Sequence, residues 1–385
     1  MGKFAVLGAG QMGMVIAKEL LDNDSDTAVS LYDLNSTTLE DAAIFIASKK
    51  LNTQVVDIYD QAKTAAALEG HIAVIGALPH SLSYPAILAA IDAGVSFIDL
   101  VGEAPEMRIA LHDRAVEAGC LILPGMGVAP GIGNVCIGQG IEWLDEVHNG
   151  YIHVGGIPVR KEPPLFYQTV YMLESVFNAY LRPATIIEEG KQVIVEPLSG
   201  LEEISFPEPI GVLEGFITDG LTSLPLTVGN DIGNSLVEKT LRYPGHVACI
   251  KVLKNCGLLD GNPIEIDGQK ISPRDVVIEL LGEKLQLGPE GDILVMRVIV
   301  EGIKDGKEER HIFELVDYFD VETGYTAMAR TTGFPAVLAA RMIASDELPE
   351  KGVFFPEQLF IGKRFERLVE WLAQKGVEVQ HRVEG

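Results

Sequence analysis

The sequence predicts an α/β protein in two parts: a doubly wound parallel sheet, then a second α/β domain on a mixed, largely antiparallel sheet. Three observations predict it. Short, almost continuously apolar runs alternate with helix-like segments over residues 1–124, the pattern of a parallel sheet covered on both faces. From Tyr151 to Asp320 the pattern changes to alternating strands, broken by Gly155-Gly156, Glu189-Gly190, Asp219-Gly220, Asp267-Gly268 and Asp305-Gly306. Finally, an apolar strand at Phe4–Leu7 runs into Gly8-Ala9-Gly10-Gln11-Met12-Gly13, followed at helical spacing by Met14, Ile16, Ala17, Leu20 and Leu21.

That last string is G-x-G-x-x-G between a strand and a helix. Gly8 makes the tight turn, Gly10 lets backbone approach a pyrophosphate, and Gly13 lets helix and strand pack closely. The freed N–H groups of the helix start, with Gln11 and Met12, and the helix dipole would hold the phosphate charge. A second strand, Ala28–Tyr32, ends on Asp33, twenty residues after Gly13, where a ribose-binding acid belongs. A carboxylate there accepts hydrogen bonds from both ribose hydroxyls and repels a 2′-phosphate. Leu34, Asn35 and Ser36 follow, with no Arg or Lys for that phosphate, so NAD is expected over NADP. These residues define a Rossmann dinucleotide-binding domain.

The remaining elements of that domain follow in order. Helices are expected at Thr38–Lys49, Asp60–Leu68, Pro85–Ala93 and Glu106–Ala118, and strands at Gln54–Tyr59, Ile72–Ala77, Ser96–Leu100 and Cys120–Leu123. Ligands bind beyond the carboxyl ends of such strands. The loops Ala77-Leu78-Pro79-His80, Val101-Gly102-Glu103 and Pro124-Gly125-Met126 should therefore line the cofactor and the reacting centre. In the second domain, Ile293–Gly302 should pair with Arg310–Phe319 across the Asp305-Gly306 turn. Thr169–Tyr180 reads as a helix, Ser272-Pro273-Arg274-Asp275 as a helix start, and Thr331–Ala344 as an apolar helix packing back onto the first domain. The expected organisation is residues 1–124 plus about 325–350 as the NAD-binding domain, 125–324 for substrate binding and dimerisation, and 351–385 as an extension packing on the Rossmann domain.

The chain has 385 residues, 47% of them hydrophobic, ample for two domains. Its net charge of −25 argues against nucleic acid and anionic membrane surfaces as partners. Cys120, Cys136, Cys249 and Cys256 lack metal-ligand spacing and read as reduced thiols of a cytoplasmic protein, so no metal is expected. No apolar run approaches the roughly 20 residues that span a bilayer, and no secretory leader is expected ahead of the first strand.

Beyond the generic glycine motif, four strings carry a family resemblance. They are Phe97-Ile98-Asp99-Leu100-Val101-Gly102-Glu103, Gly127-Val128-Ala129-Pro130-Gly131-Ile132-Gly133-Asn134, Lys239-Thr240-Leu241-Arg242-Tyr243-Pro244-Gly245-His246 and Ala327-Met328-Ala329-Arg330-Thr331-Thr332-Gly333-Phe334-Pro335-Ala336. In this order they resemble the saccharopine dehydrogenase-like proteins over nearly the whole chain, most closely the lysine 6-dehydrogenases. The resemblance implies NAD(P)-linked chemistry on a C–N bond and a homodimer or higher oligomer. In its lysine 6-dehydrogenase form it implies oxidation of the ε-carbon of lysine, with ammonia and the 6-semialdehyde of 2-aminoadipate as products.

Such chemistry needs a general base, for which Glu103 and His80 rank first because both follow strand ends. A substrate α-carboxylate calls for a guanidinium; Arg242 is the first choice and Arg330 the second, with Tyr243 and His246 lining the same pocket. Asp99 or Glu103 would take the α-ammonium. Saccharopine or a carboxynorspermidine-type polyamine are rival substrates. Residues 125–244 hold six basic side chains (Arg160, Lys161, Arg182, Lys191, Lys239, Arg242) against fifteen acidic ones, a balance that leans towards a small cationic amino acid. A non-catalytic NAD-binding sensor is the reading from another class.

Overall fold

Six short runs, β1 (Gly2–Leu7), β2 (Thr27–Asp33), β3 (Leu51–Val55), β4 (Ala73–Gly76), β5 (Ser96–Asp99) and β6 (Leu121–Leu123), form the first sheet. In this computed structural model, which describes residues 2–22 and 27–385, they are all parallel, in the order β3-β2-β1-β4-β5-β6. Alternate residues feed two cores, as the two-residue period of a strand requires. Phe4 and Val6, Ala73 and Ile75, Ile98, Leu121 and Leu123 face one side. Ala5 and Leu7, Val74, Phe97 and Ile122 face the other. Both faces are covered, which is why the strands read as near-continuous apolar runs.

Local chemistry moves several boundaries. The third strand lies at Leu51–Val55 and not at 54–59, because Asp57 accepts from the Tyr59 amide and Asp60 caps the helix Gln61–Leu68. Asn35 accepts from the amides of Thr37 and Thr38, so the next helix starts at Ser36. The helix expected from Pro85 begins five residues earlier, on His80. The helix expected over 106–118 is two pieces, Pro105–Ile109 and His112–Glu117, the first of them anchored inward by Arg108.

The second domain contributes β7 (Glu146–Pro158), β8 (Ala184–Glu188), β9 (Lys191–Val195), β10 (Glu202–Ser205), β11 (Val212–Ile217), β12 (Ile232–Arg242), a separate small hairpin β13 (Ile264–Ile266) and β14 (Gln269–Ile271), then β15 (Asp292–Lys304) and β16 (Lys307–Tyr318). Only the β12/β7 pair is parallel among the described pairings of the large sheet, so it is mixed and largely antiparallel. Asp305 and Gly306 have φ of 49° and 73° and close β15 onto β16 with Lys304 opposite Lys307, a two-residue turn of the twist-compatible kind. β15 is paired at both edges, with β7 and β16, and most of its side chains are buried within this chain, which accounts for its apolar run.

The C-terminal segment from Ala327 onwards ties the two sheets together. The helix Ala327–Ala344, capped by Thr326, packs against the helix Gln11–Asp22, against β4 and β5, and against β15. β17 (Gly352–Val353) extends the first sheet beside β6. The helix Lys363–Gln374 packs on Ala327–Ala344. The end of the chain departs from expectation: β18 (Gln380–Glu384) leaves the Rossmann side and pairs with β16, whose outer edge offers free ladder groups. No described helix is long and apolar enough to cross a membrane.

Candidate active site

A cleft of about 860 Å³ opens beyond the carboxyl ends of the first sheet and reaches across to β7 and β12. It lies where the strand order reverses between β1 and β4, the place such sheets bind dinucleotides. Gly10, Gln11, Met12, Ala77, Leu78 and Pro79 line it. Gly8 and Gly13 shape it from behind. A Cβ on Gly8, at φ +96°, would lie 2.2 Å from the Ala77 carbonyl oxygen, and one on Gly13 would lie 1.8 Å from the Gly8 oxygen. Gly10 has nothing within 4 Å of that direction, leaving its backbone open to a ligand. Asp33 ends β2; its Oδ2 accepts from Ala9 N at 2.8 Å and its Oδ1 from Asn35 N at 2.9 Å, so it also ties the glycine turn to the neighbouring strand. This cradle fits a dinucleotide: open backbone at a helix N-terminus, with a carboxylate at the next strand end.

Deeper in, charged groups from both domains meet. His80 Nδ1 lies 2.6 Å from Glu103 Oε2, and Arg182, from the segment after the helix Leu173–Ala179, reaches across to Glu103 Oε1. Burial would raise the Glu103 carboxyl, but the hydrogen bonds and charges of His80 and Arg182 outweigh it and hold the pKa down at about 2. A carboxylate that acidic is a poor proton acceptor at neutral pH, but it can orient an imidazole and stabilise its cation. Asp219 also lines the cleft; burial raises its carboxyl, opposed by Arg182.

The third wall is β12, whose two-residue period turns Glu238, Thr240 and Arg242 to the cleft together. A relay fixes Arg242. The Leu165 carbonyl, 2.8 Å from His246 Nδ1, can only accept, so Nδ1 carries the proton. Nε2 then accepts from the Tyr180 hydroxyl at 3.1 Å, and that oxygen accepts from Arg242 Nε at 3.1 Å. Nη1 of Arg242 donates to its neighbour's carbonyl, and the guanidinium stacks 4.8 Å from the Tyr167 ring centroid. Glu238, 2% exposed, accepts from Thr218 at 2.8 Å and, more weakly, from Thr240 at 3.4 Å. Burial, only partly offset by those hydroxyls and by Arg242, pushes its carboxyl up to about 8.

His80, Glu103 and Arg242 of the expected residues therefore come together, with the cofactor glycines, Gln11, Met12 and the Ala77-Leu78-Pro79 loop. Four of the expected substrate-binding residues do not line the cleft. Asp99 is sealed in the first domain, held by Ser83, the Val101 amide and Arg108, where it anchors the loop leading to Glu103. Arg330 spends its guanidinium on Asp317, Asp320 and the Lys375 carbonyl. The Tyr243 hydroxyl donates to the Pro158 carbonyl inside a separate apolar cluster. His246, kept neutral with a pKa of about 3 by burial and by Arg242, acts on the cleft only through Tyr180. Sequence reasoning missed Arg182, Asp219 and Glu238. Counting back by twos from Arg242 along its strand finds Glu238; no local signal marks Arg182, whose partner is distant in sequence.

Comparison with known proteins bears on this geometry. The family model described as the saccharopine dehydrogenase NADP binding domain matches residues 4–123, and that of the saccharopine dehydrogenase C-terminal domain matches residues 127–377. The chain belongs to the saccharopine dehydrogenase family. It is thus an oxidoreductase of the amino-acid dehydrogenase type with a nicotinamide cofactor. Within the saccharopine dehydrogenase family it is similar to the carboxyaminopropylagmatine dehydrogenase of Synechocystis sp., 24% identical over 96% of this chain and 97% of that one. The carboxynorspermidine synthase of Vibrio alginolyticus is 25% identical, with 92% and 91% covered. The mitochondrial alpha-aminoadipic semialdehyde synthase of Bos taurus is 25% identical over 92% of this chain, which spans 45% of that longer protein. Apo saccharopine dehydrogenase (L-Glu forming) from Saccharomyces cerevisiae matches all of both chains with a TM-score of 0.82 at 19% identity, which shows a shared fold.

Proposed function

We propose that the protein oxidises the ε-carbon of L-lysine with NAD, releasing ammonia and 2-aminoadipate 6-semialdehyde. The observation that carries this reading is the charge of the cleft. Glu103, Asp219 and Glu238 line it, while Arg182 is committed to Glu103. Arg242 is the guanidinium there with no carboxylate in ion-pair contact among the described residues, so the site suits one carboxylate and more than one positive charge. Saccharopine, with three carboxylates, would find a single uncommitted guanidinium among three acidic side chains.

In this reading Arg242 holds the α-carboxylate, with its direction set by Tyr180 and Tyr167. His80, oriented by Glu103, takes a proton from the ε-ammonium so that the nitrogen lone pair can form the imine; it sheds that proton to solvent and, neutral again, activates the water that hydrolyses the imine. The bound nicotinamide supplies the hydride acceptor. In balance, lysine, NAD and water give semialdehyde, ammonium, NADH and one proton. Asp33 at the ribose position, with no cation in Leu34-Asn35-Ser36, supports NAD.

The test is to mix the protein with NAD and L-lysine at mildly alkaline pH and follow NADH absorbance with ammonia assayed alongside. Equal release of both is expected; no NADH with lysine, but turnover of saccharopine, would overturn the substrate. A second reading, a carboxylated polyamine, draws on the end-to-end similarity to the Synechocystis and Vibrio proteins and on the cleft's extension to Gly282, Gln286 and Leu287. Running that substrate class in the same assay separates the two. Family resemblance also supports a homodimer, for which light scattering should give twice the chain mass of 41.6 kDa.

A further inference from the structure

We propose that Glu238 is the group that receives the substrate's α-ammonium, so that the cleft selects an α-amino acid over an ω-amine carrying only a carboxylate. This rests on the lysine reading and deepens it. The three cleft carboxyls differ in their commitments. Glu103 is doubly engaged by His80 and Arg182. Asp219 faces Arg182. Glu238 alone of the three is hydrogen-bonded by neutral hydroxyls, those of Thr218 and Thr240, which orient its oxygens without neutralising them.

Position agrees with that role. Glu238 and Arg242 sit on one face of β12, about 13 Å apart at their Cα atoms given the strand rise of roughly 3.3 Å per residue, with uncharged Thr240 between them. An α-amino acid presents a carboxylate and an ammonium on one carbon, and this wall supplies a base and an acid to match. Gly220 keeps the approach open, since a Cβ there would lie 2.4 Å from the Glu238 carboxyl. Asp219, Tyr171 and Arg242 are the other titratable or charged groups that act on Glu238, and they do not fill its hydrogen-bonding capacity. A buried carboxyl without a cationic partner is costly to ionise, and an arriving ammonium removes that cost.

The test is calorimetric titration of the NADH-loaded protein with L-lysine and with 6-aminohexanoate, which lacks only the α-ammonium. The unmodified protein should prefer lysine by roughly 10–100-fold, the worth of a charge-assisted hydrogen bond. Glu238→Gln should collapse that preference while leaving 6-aminohexanoate and NADH affinity unchanged. Equal weakening of both ligands, an unchanged ratio, or no preference in the unmodified protein would each overturn the proposal. Should Glu238→Gln lose NADH binding, Thr218→Val carries the test, with a reduced ratio expected and an unchanged one counting against it. Binding is read separately from turnover: a lysine preference without NADH formation from NAD would sink the lysine 6-dehydrogenase reading while leaving Glu238 standing.

Discussion

Glu103 is gripped from both domains: His80 Nδ1 lies 2.6 Å from its Oε2 on the Rossmann side, and Arg182 of the second domain pairs with its Oε1. In the proposed mechanism the carboxylate is therefore the orienting anion and the imidazole the base. Replacing His80 with Ala should cut kcat by roughly 10²–10⁴-fold, the usual worth of a positioned proton acceptor, with NADH affinity kept. Glu103→Gln should cost less, because a glutamine can still accept one hydrogen bond. A Glu103→Gln loss larger than that of His80→Ala would reverse the two roles.

Arg242 is expected to act on substrate affinity. Arg242→Gln should raise KM for lysine roughly 10–100-fold, corresponding to about 1.5–3 kcal/mol for a charged hydrogen-bonding partner, with a smaller change in kcat. Tyr180→Phe keeps the packing and removes the hydroxyl that accepts from Nε of Arg242 and donates to His246. It should reproduce part of the KM effect. Steady-state kinetics on both variants check this, and a Tyr180→Phe enzyme with unchanged KM would show that the relay does not position the guanidinium.

These assignments show which parts of the molecule its sequence discloses. Gly8 to Gly13, Asp33 and the Asp305-Gly306 turn were legible because their chemistry is local: each is a short string whose backbone demands few residue types can meet. Arg242 was legible as part of a family string. Its neighbours Tyr243 and His246 were misjudged because adjacency in sequence is not adjacency in space. The strand ends at Arg242, the Tyr243 ring enters a different cluster, and His246 opens the next helix facing inward. Arg330 was misjudged because its partners Asp317 and Asp320 come from β16 and the turn after it. Nothing in residues 176–188 announces that Arg182 crosses to Glu103, since that pair spans 79 positions.

Asp33 ties down the glycine turn and, in the proposed function, also accepts from the ribose; substitution should separate the two roles. Asp33→Ala removes the ribose acceptor, which should weaken NAD more than NADP. It also frees the Ala9 amide, which should loosen the glycine turn and weaken both. Fluorescence titration with NADH and NADPH should show the larger loss for NADH. An unchanged ratio would remove Asp33 from the ribose site and leave it as a structural tie.

Stability should fall as pH rises above about 6.5. Burial raises Glu238 to about 8 and Asp317 to about 7, against ordinary values near 4.5 and 3.8. Between the unfolded and folded values the native state binds more protons than the unfolded chain, so raising pH favours unfolding. Buried His246 and His153 work in the opposite sense, held at about 3 and about 4, because the unfolded chain takes up their protons first. Their contribution is complete above the ordinary histidine range, which leaves the carboxyls to set the slope. From pH 6.5 to 8, Glu238 alone should cost about 2 kcal/mol, at about 1.4 kcal/mol per pH unit. Urea midpoints of the ligand-free protein across that window measure the slope. Glu238→Gln should flatten it, and a midpoint that stays level in the unmodified protein would mean that Glu238 is already ionised in the empty cleft.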